Sequence, residues 1–197
     1  MKTNVPDESV RDSIVDAALG VFERYGLHRV SMHDISVASG MGRSSLYHYF
    51  GNKMEVFDAV SKKLLEQVFI AAKKEIDTES TMAVNVSKYE LKKLEGIKAM
   101  SRKYHLALID LKQDPALLLT KMRIIIHDET KMLNDLIDRA IDRKEILPLN
   151  IEDRRFLAET IVTVFRSFEQ EILIFDRFPE MEAKLFWLVS IFHKGLQ

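Results

Sequence analysis

The stretch Ser31–Lys53 reads SMHDISVASGMGRSSLYHYFGNK, two short helical patterns joined by a tight turn. Met32, Ile35 and Ala38 fall on one face of the first pattern. Ser39-Gly40-Met41-Gly42 makes the turn, with two glycines where the backbone reverses. Arg43 to Phe50 makes the second helix. Leu46 and Phe50, four apart, share the face that anchors it to a core. Arg43, Ser44, Tyr47 and His48 lie away from that anchor and form a polar, aromatic-rich surface. Helix, Gly-containing turn and helix together suit a helix-turn-helix, whose second helix enters the major groove of DNA. An ordinary pair of packed helices is the plainer alternative.

The residue pattern separates the two. Phe22-x-x-Tyr25-Gly26, Ser31-x-x-Asp34-Ile35, Ala38-x-Gly40-Met41 and Ser45-Leu46-Tyr47-x-Tyr49-Phe50-x-Asn52-Lys53 together resemble the DNA-binding domain of the tetracycline-repressor (TetR) family. The resemblance covers about residues 11 to 60. It implies an all-α protein with an N-terminal three-helix helix-turn-helix head, residues 1–52, and a C-terminal helical ligand-binding and dimerisation domain, residues 53–197. Two positions depart from the family pattern. Gly42 stands where a Ser or Thr usually caps the recognition helix; glycine caps nearly as well but offers no hydroxyl to a phosphate. Ser44 stands where many members have Gly, Ala or Pro, so base preference does not transfer from a relative.

Composition bounds the remaining possibilities. The chain has 197 residues, 47% of them hydrophobic, enough for one large or two small domains with a substantial core. It contains no cysteine, so it has neither a disulfide framework nor a thiolate metal site. Met1 to Asp16 is polar and charged, unlike a signal peptide, and the strongly apolar run Leu185–Phe192 is too short to span a bilayer. A cytoplasmic protein without a membrane partner is expected. Net charge is −1. Residues 1 to 60 hold six Lys/Arg and eight Asp/Glu, a balance of −2. That excludes a generic basic DNA coat but not a reader with few well-placed cations, because hydroxyls, backbone N–H groups and helix N-termini also hold phosphates.

In chain order, Asp7 to Tyr25 is the first helix, with Ile14, Ala18 and Phe22 spaced by four and Ala17, Val21 and Tyr25 in the adjacent row. Gly26 suits the left-handed position that ends it. Ser31-x-x-Asp34 has the spacing of a capping box. Asn52 caps a long helix to about Ile76, whose Phe57, Val60, Leu64 and Val68 form an apolar stripe reaching from the head into the second domain. The polar run 77–81 breaks the chain. Asp114-Pro115 starts a helix expected to continue to about Lys144, and Leu147-Pro148-Leu149-Asn150 stops it. The last two helices are expected over Glu152 to Asp176 and Pro179 to Lys194. The final one is apolar nearly all round, and a second apolar face needs a second partner. A second copy of the chain is the expected partner, with Phe165, Phe168, Ile172, Leu185, Leu188 and Phe192 across the two-fold axis; a fully buried central helix is the alternative.

The family resemblance supplies further expectations. Arg43, Ser44, Tyr47 and His48 are expected to face bases. Ser31, Ser45, Tyr49 and Lys53 are expected to hold phosphates of a palindromic double-stranded operator, Ser31 also capping its helix. The middle region, about residues 80 to 150, is where the family holds an unidentified small-molecule effector. Candidate lining residues are Met100, Tyr104, His105, Met122, Ile126 and His127, with Arg166, although such residues serve as plain core more often. Arg166 has Glu169 and Gln170 within reach on its own helix. Enzymatic readings find little: His28, His33, His48, His105, His127 and His193 show no i, i+4 metal pair. Phosphate loops, cysteine nucleophiles and Gly-x-Ser-x-Gly elbows are absent. No cofactor or metal is expected. The expected role is a ligand-released repressor. The alternative is an all-α ligand-binding or protein-interaction dimer with a vestigial DNA-binding head.

Overall fold

The computed structural model describes residues 7–121, 123–175 and 181–197, apart from the side chains of 173 and 181. Among these residues all regular structure is α-helical: α1 (Glu8–Tyr25), α2 (Met32–Ser39), α3 (Arg43–Tyr49), α4 (Lys53–Lys73), α5 (Met82–Lys103), α6 (His105–Lys112), α7 (Pro115–Lys121), α8 (Ile126–Asp142), α9 (Ile151–Phe175) and α10 (Met181–Lys194). No described helix is long and apolar enough to cross a membrane.

The helices form two compact units. The first comprises the chain up to Leu64 together with Met100–Lys121; the second comprises Leu65–Ala99 and Met122–Gln197. This division differs from a boundary at 52/53. The first half of α4 packs in the first unit, where Val56, Phe57 and Val60 are buried and the Phe57 ring meets Phe22 edge-on at 5.1 Å.

In the first unit α1 begins at Asp7, whose carboxylate accepts a hydrogen bond from the Ser9 N–H at 2.9 Å. Ile14, Ala18 and Phe22 have no exposed surface. Full burial of a large apolar side chain such as Phe22 contributes about 1.5–3 kcal/mol. The adjacent row is less uniform: Val21 is buried, but Tyr25 is exposed under the Arg24 guanidinium. Asn52 caps α4 by accepting from the N–H groups of Met54 (2.9 Å) and Glu55 (3.1 Å).

The second unit is built around Tyr89, Leu133, Ile137, Ala158, Val162, Phe165 and Leu185, all buried. The polar run 77–81 is closed by Asn85, whose amide accepts from Asp77 N–H and donates to the carbonyls of Asp77 and Ser80.

The helix expected from Pro115 to Lys144 is two helices, α7 and α8. Asp114 starts α7 as expected, accepting from Leu117 N–H at 3.0 Å. Ile124 and Ile125 lie in the break and Ile126 opens α8, three successive β-branched residues that weaken helical preference without a glycine or proline to announce it. Packing then decides the break: Lys121 is buried in the first unit beside Asp58, and Ile125 is buried in the second unit's core. Pro179, expected to open the last helix, and Asp176, expected to end the one before it, lie outside the described residues.

Packing also redistributes the expected dimer residues. Phe165 and Leu185 are buried in the core of their own chain. Phe168, Ile172 and Leu188 are half-buried against that core. On α10 the outward apolar residues are Phe186 (58% exposed), Trp187 (59%), Ile191 (49%) and Phe192 (51%). The helix is apolar on both faces, and residue type alone does not tell the inward face from the outward one.

Candidate nucleic-acid interface

The site starts at Ser31. Its hydroxyl accepts from Asp34 N–H at 3.3 Å, and Asp34 Oδ2 accepts from Ser31 N–H at 2.8 Å, which completes the capping box. Hydrogen bonds from the Ser31 hydroxyl and N–H hold the Asp34 carboxyl below its ordinary value. The inward face of α2 is Met32, Ile35, Ser36 and Ser39, an i, i+3, i+4, i+7 stripe, and Ala38 is exposed rather than inward-facing. Ser36 lies inside because its hydroxyl donates to the Met41 carbonyl at 2.6 Å and ties the turn back to α2. Gly40, at φ 68° and ψ 12°, occupies the left-handed conformation that the turn requires.

α3 has only seven residues, and its Gly42 cap makes no side-chain hydrogen bond. Its direction is set by two buried anchors, Leu46 (0% exposed) and Phe50 (1%), with the Arg11 guanidinium 4.6 Å from the Phe50 ring. Arg43, Ser44, Ser45, Tyr47 and His48 are exposed together on this short helix. Tyr49 is half-buried, its ring edge-on to His48 at 5.4 Å. Ser31 is exposed as well. Hydroxyls, an imidazole and one guanidinium thus share the surface expected to meet DNA.

Lys53 has a task within the protein itself. Its ammonium donates to the carbonyls of Leu27, His28 and Val30, each at 3.0 Å. An ammonium has three protons, and these three carbonyls match them in number in the DNA-free chain. The same connection between α1 and α2 is gripped from another direction. Asp110 on α6 accepts from the N–H groups of Leu27 (2.7 Å) and His28 (2.8 Å), and its other oxygen lies 3.3 Å from His28 Nδ1. Gly26, at φ 76°, makes room: a Cβ there would meet Asp110 Oδ2 at 2.7 Å. Asp110 carries no sequence signal, since it is one aspartate in an ordinary helical stretch more than 80 positions away from its partners.

The residues expected to line an effector pocket are not gathered by either unit. Met100, Tyr104 and His105 belong to the first unit; Ile126, His127 and Arg166 belong to the second; Met122 lies outside the described residues. Tyr104 is buried, while His105 and His127 are exposed rather than set in apolar surroundings. Arg166 is buried, but its partner is neither Glu169 nor Gln170. Its Nε and Nη2 donate to Glu129 Oε2 at 3.1 and 2.7 Å. The second unit has a cavity of about 90 Å³ elsewhere, lined chiefly by Met82, Val86, Ile161, Val164, Val189 and Phe192 from α5, α9 and α10. Among the described residues no group of three or more His, Cys, Asp or Glu is arranged to hold a metal ion.

This task of Lys53 has a direct test. Lys53→Met keeps the aliphatic stem but leaves three carbonyls without their donor. The DNA-free protein is expected to lose on the order of 1–3 kcal/mol in urea unfolding. A side chain that served only a phosphate would leave stability unchanged.

Comparison with known proteins places this geometry. Residues 14–60 match the family described as "Bacterial regulatory proteins, tetR family". The HTH-type transcriptional regulator SrpR of Pseudomonas putida is 37% identical over 59 residues, 30% of this chain and 28% of that protein, so the match spans less than a third of that relative. The crystal structure of the TetR family repressor AlkX from Dietzia sp. strain DQ12-45-1b matches with a TM-score of 0.63 and 20% identity, covering 94% of this chain and 97% of AlkX. That of a transcriptional regulator from Cytophaga hutchinsonii ATCC 33406 matches with a TM-score of 0.65 and 24% identity, again over 94% and 97% of the two chains. The structural matches show the shared fold, and the head, residues 14–60, is what matches the tetR family of bacterial regulatory proteins.

Proposed function

We propose that the protein is a homodimeric transcriptional repressor that a small molecule releases from a palindromic operator. The observation that carries this reading is the surface of α3. Arg43, Ser44, Tyr47 and His48 are exposed together while Leu46 and Phe50 fix the helix from beneath. In this reading Arg43 donates two hydrogen bonds to a guanine edge. Ser44, Tyr47 and His48 complete the base-facing surface. Ser31, Ser45 and Tyr49 contact phosphates, with the Lys53 backbone N–H at the start of α4. The Lys53 ammonium serves by holding the loop.

Pairing of two copies is assigned to the outward face of α10, where Phe186, Trp187, Ile191 and Phe192 stand exposed in the single chain. Two-fold pairing matches the two-fold symmetry of a palindrome. The effector is assigned to the α5–α9–α10 cavity. Its lining is almost wholly apolar, with Thr160 and His193 the polar residues beside it, which favours an uncharged, largely apolar molecule.

Selection from a randomised duplex pool tests the DNA reading. The wild type is expected to enrich a two-fold symmetric sequence with half-site centres about 34–36 Å apart. Arg43→Ala is expected to relax the choice at one base position per half-site and to cost about 1–3 kcal/mol at each. Failure of the wild type to enrich any sequence would contradict the reading and favour the ligand-binding dimer with an inactive head.

Ligand and operator are expected to oppose one another. α4 supports the coupling, because one continuous helix contributes residues to both units. An apolar compound found by thermal-shift screening is expected to lower operator affinity by about 1–3 kcal/mol, and operator must lower affinity for the compound by the same factor. Val164→Trp, which fills the cavity, should remove the response and leave operator binding intact. A compound bound in the cavity without effect on operator affinity would contradict release.

A further inference from the structure

The core of the second unit contains five charged side chains with almost no exposed surface: Glu90 (1%), Lys93 (1%), Glu129 (1%), Glu169 (5%) and Arg166 (7%). They converge from α5, α8 and α9. The Lys93 ammonium lies 2.8 Å from Glu90 Oε2, 2.8 Å from Glu129 Oε1 and 2.7 Å from Glu169 Oε1. Arg166 takes the second oxygen of Glu129, and the Tyr89 hydroxyl donates to the first at 2.7 Å. Three carboxyl groups therefore share two cations in a site closed to water. If all five were ionised, the core would hold one uncompensated negative charge, which burial disfavours strongly.

The surroundings separate Glu129 from Glu90 and Glu169, each of which is paired with the Lys93 ammonium. Glu129 receives Lys93, Arg166 and Tyr89. Burial opposes its ionisation, but the two cations outweigh burial and hold it below the ordinary value. Lys93 likewise stays charged, because the three carboxylates outweigh its burial. Glu90 meets only the ammonium three residues along its own helix, with Glu129 and Glu169 facing it from α8 and α9. Burial, reinforced by those two carboxylates, pushes its carboxyl up to about 8.

We propose that Glu90 is a buried proton site that balances the charge of this cluster, and that loss of its proton loosens the packing of α5, α8 and α9. The cluster adjoins the cavity along the chain. Val86, one turn before Glu90, and Phe165, next to Arg166, both line the cavity. The proton therefore acts on α5 and α9, two of the three helices that shape the cavity.

The sign of the effect follows from linkage. Folded Glu90 keeps its proton to about pH 8, whereas an ordinary glutamate loses it near 4.5. Between these values the folded state holds one more proton than the unfolded state, so stability falls as pH rises through the window and levels off above it. Glu129, shifted the other way, acts below the window: its contribution is lost as pH falls beneath the ordinary glutamate value.

The test compares the full-length wild type with Glu90→Gln, an amide of the same shape that cannot ionise, by urea unfolding from about pH 5 to about pH 9. The ratio of the two unfolding constants is expected to change by up to about tenfold per pH unit inside the window and to stop changing above it. Parallel curves would overturn the proposal. A second measurement needs no variant at Glu90. Carbon-13 NMR of wild type labelled at glutamate carboxyls should show one group titrating in the mildly alkaline range. Glu169→Gln should move that titration out of the alkaline range, because two carboxylates then balance two cations. Absence of any alkaline glutamate titration in the wild type, or its persistence unmoved in Glu169→Gln, would overturn the proposal.

Discussion

The first unit depends on how five residues of connecting chain, 26–30, are held. Lys53 takes three of their carbonyls and Asp110 takes two of their N–H groups. A connection between helices ordinarily satisfies its backbone with water. Here opposite charges from α4 and α6 do so, and charged partners make the stronger hydrogen bonds. Gly26 is the enabling residue, since any side chain at that position would strike Asp110 or Leu106. The consequence reaches α3. An isolated helix of seven residues is marginal in water, so α3 takes its direction from Leu46, Phe50 and the Ser36–Met41 hydrogen bond. Those in turn rest on α1 and α2 meeting at a fixed angle, which the gripped loop preserves.

The second unit treats charge in another way. Lys53 neutralises backbone dipoles at the edge of water; Lys93 is enclosed by carboxyl groups. Removing one partner from an enclosed cluster of this kind destabilises strongly, whereas replacing the whole cluster with well-packed apolar residues is often neutral or stabilising. Its presence therefore calls for an explanation other than raw stability. A defined protonation equilibrium among α5, α8 and α9 supplies one. The neighbouring cavity has almost no polar lining, so polar and apolar functions are kept apart within a few turns of the same helices.

The head was legible from sequence because its determinants are local. The Ser31–Asp34 capping box, the turn at Gly40, the Asn52 cap and the anchors Leu46 and Phe50 are each specified within a few residues, and each is found as expected. Contacts between distant residues were not legible. Nothing near Asp110 marks it as the partner of Leu27 and His28, and nothing near Arg166 favours Glu129 over the closer Glu169. Lys53 shows the same limit, since its pattern shows a lysine at a helix start without showing where the ammonium points. On α9 and α10 apolar residues occupy both faces, and only packing distinguishes buried Phe165 and Leu185 from exposed Trp187 and Ile191. The break between α7 and α8 has a similar origin, in residues drawn to different units rather than in a local stop signal.

The central claim is that the fold holds α3 so that its exposed surface meets DNA. Hydrogen–deuterium exchange of the full-length protein, with and without a duplex enriched from the randomised pool, tests it most directly. The first N–H groups of α3 have no partner within the helix, and Gly42 offers no side-chain acceptor. They should exchange rapidly in the free protein. DNA is predicted to slow exchange at Arg43 through Ser45 and around Ser31, while the amides of Leu27 and His28, already bonded to Asp110, change little. Unchanged exchange across α3 on a duplex that the protein demonstrably binds would contradict the account.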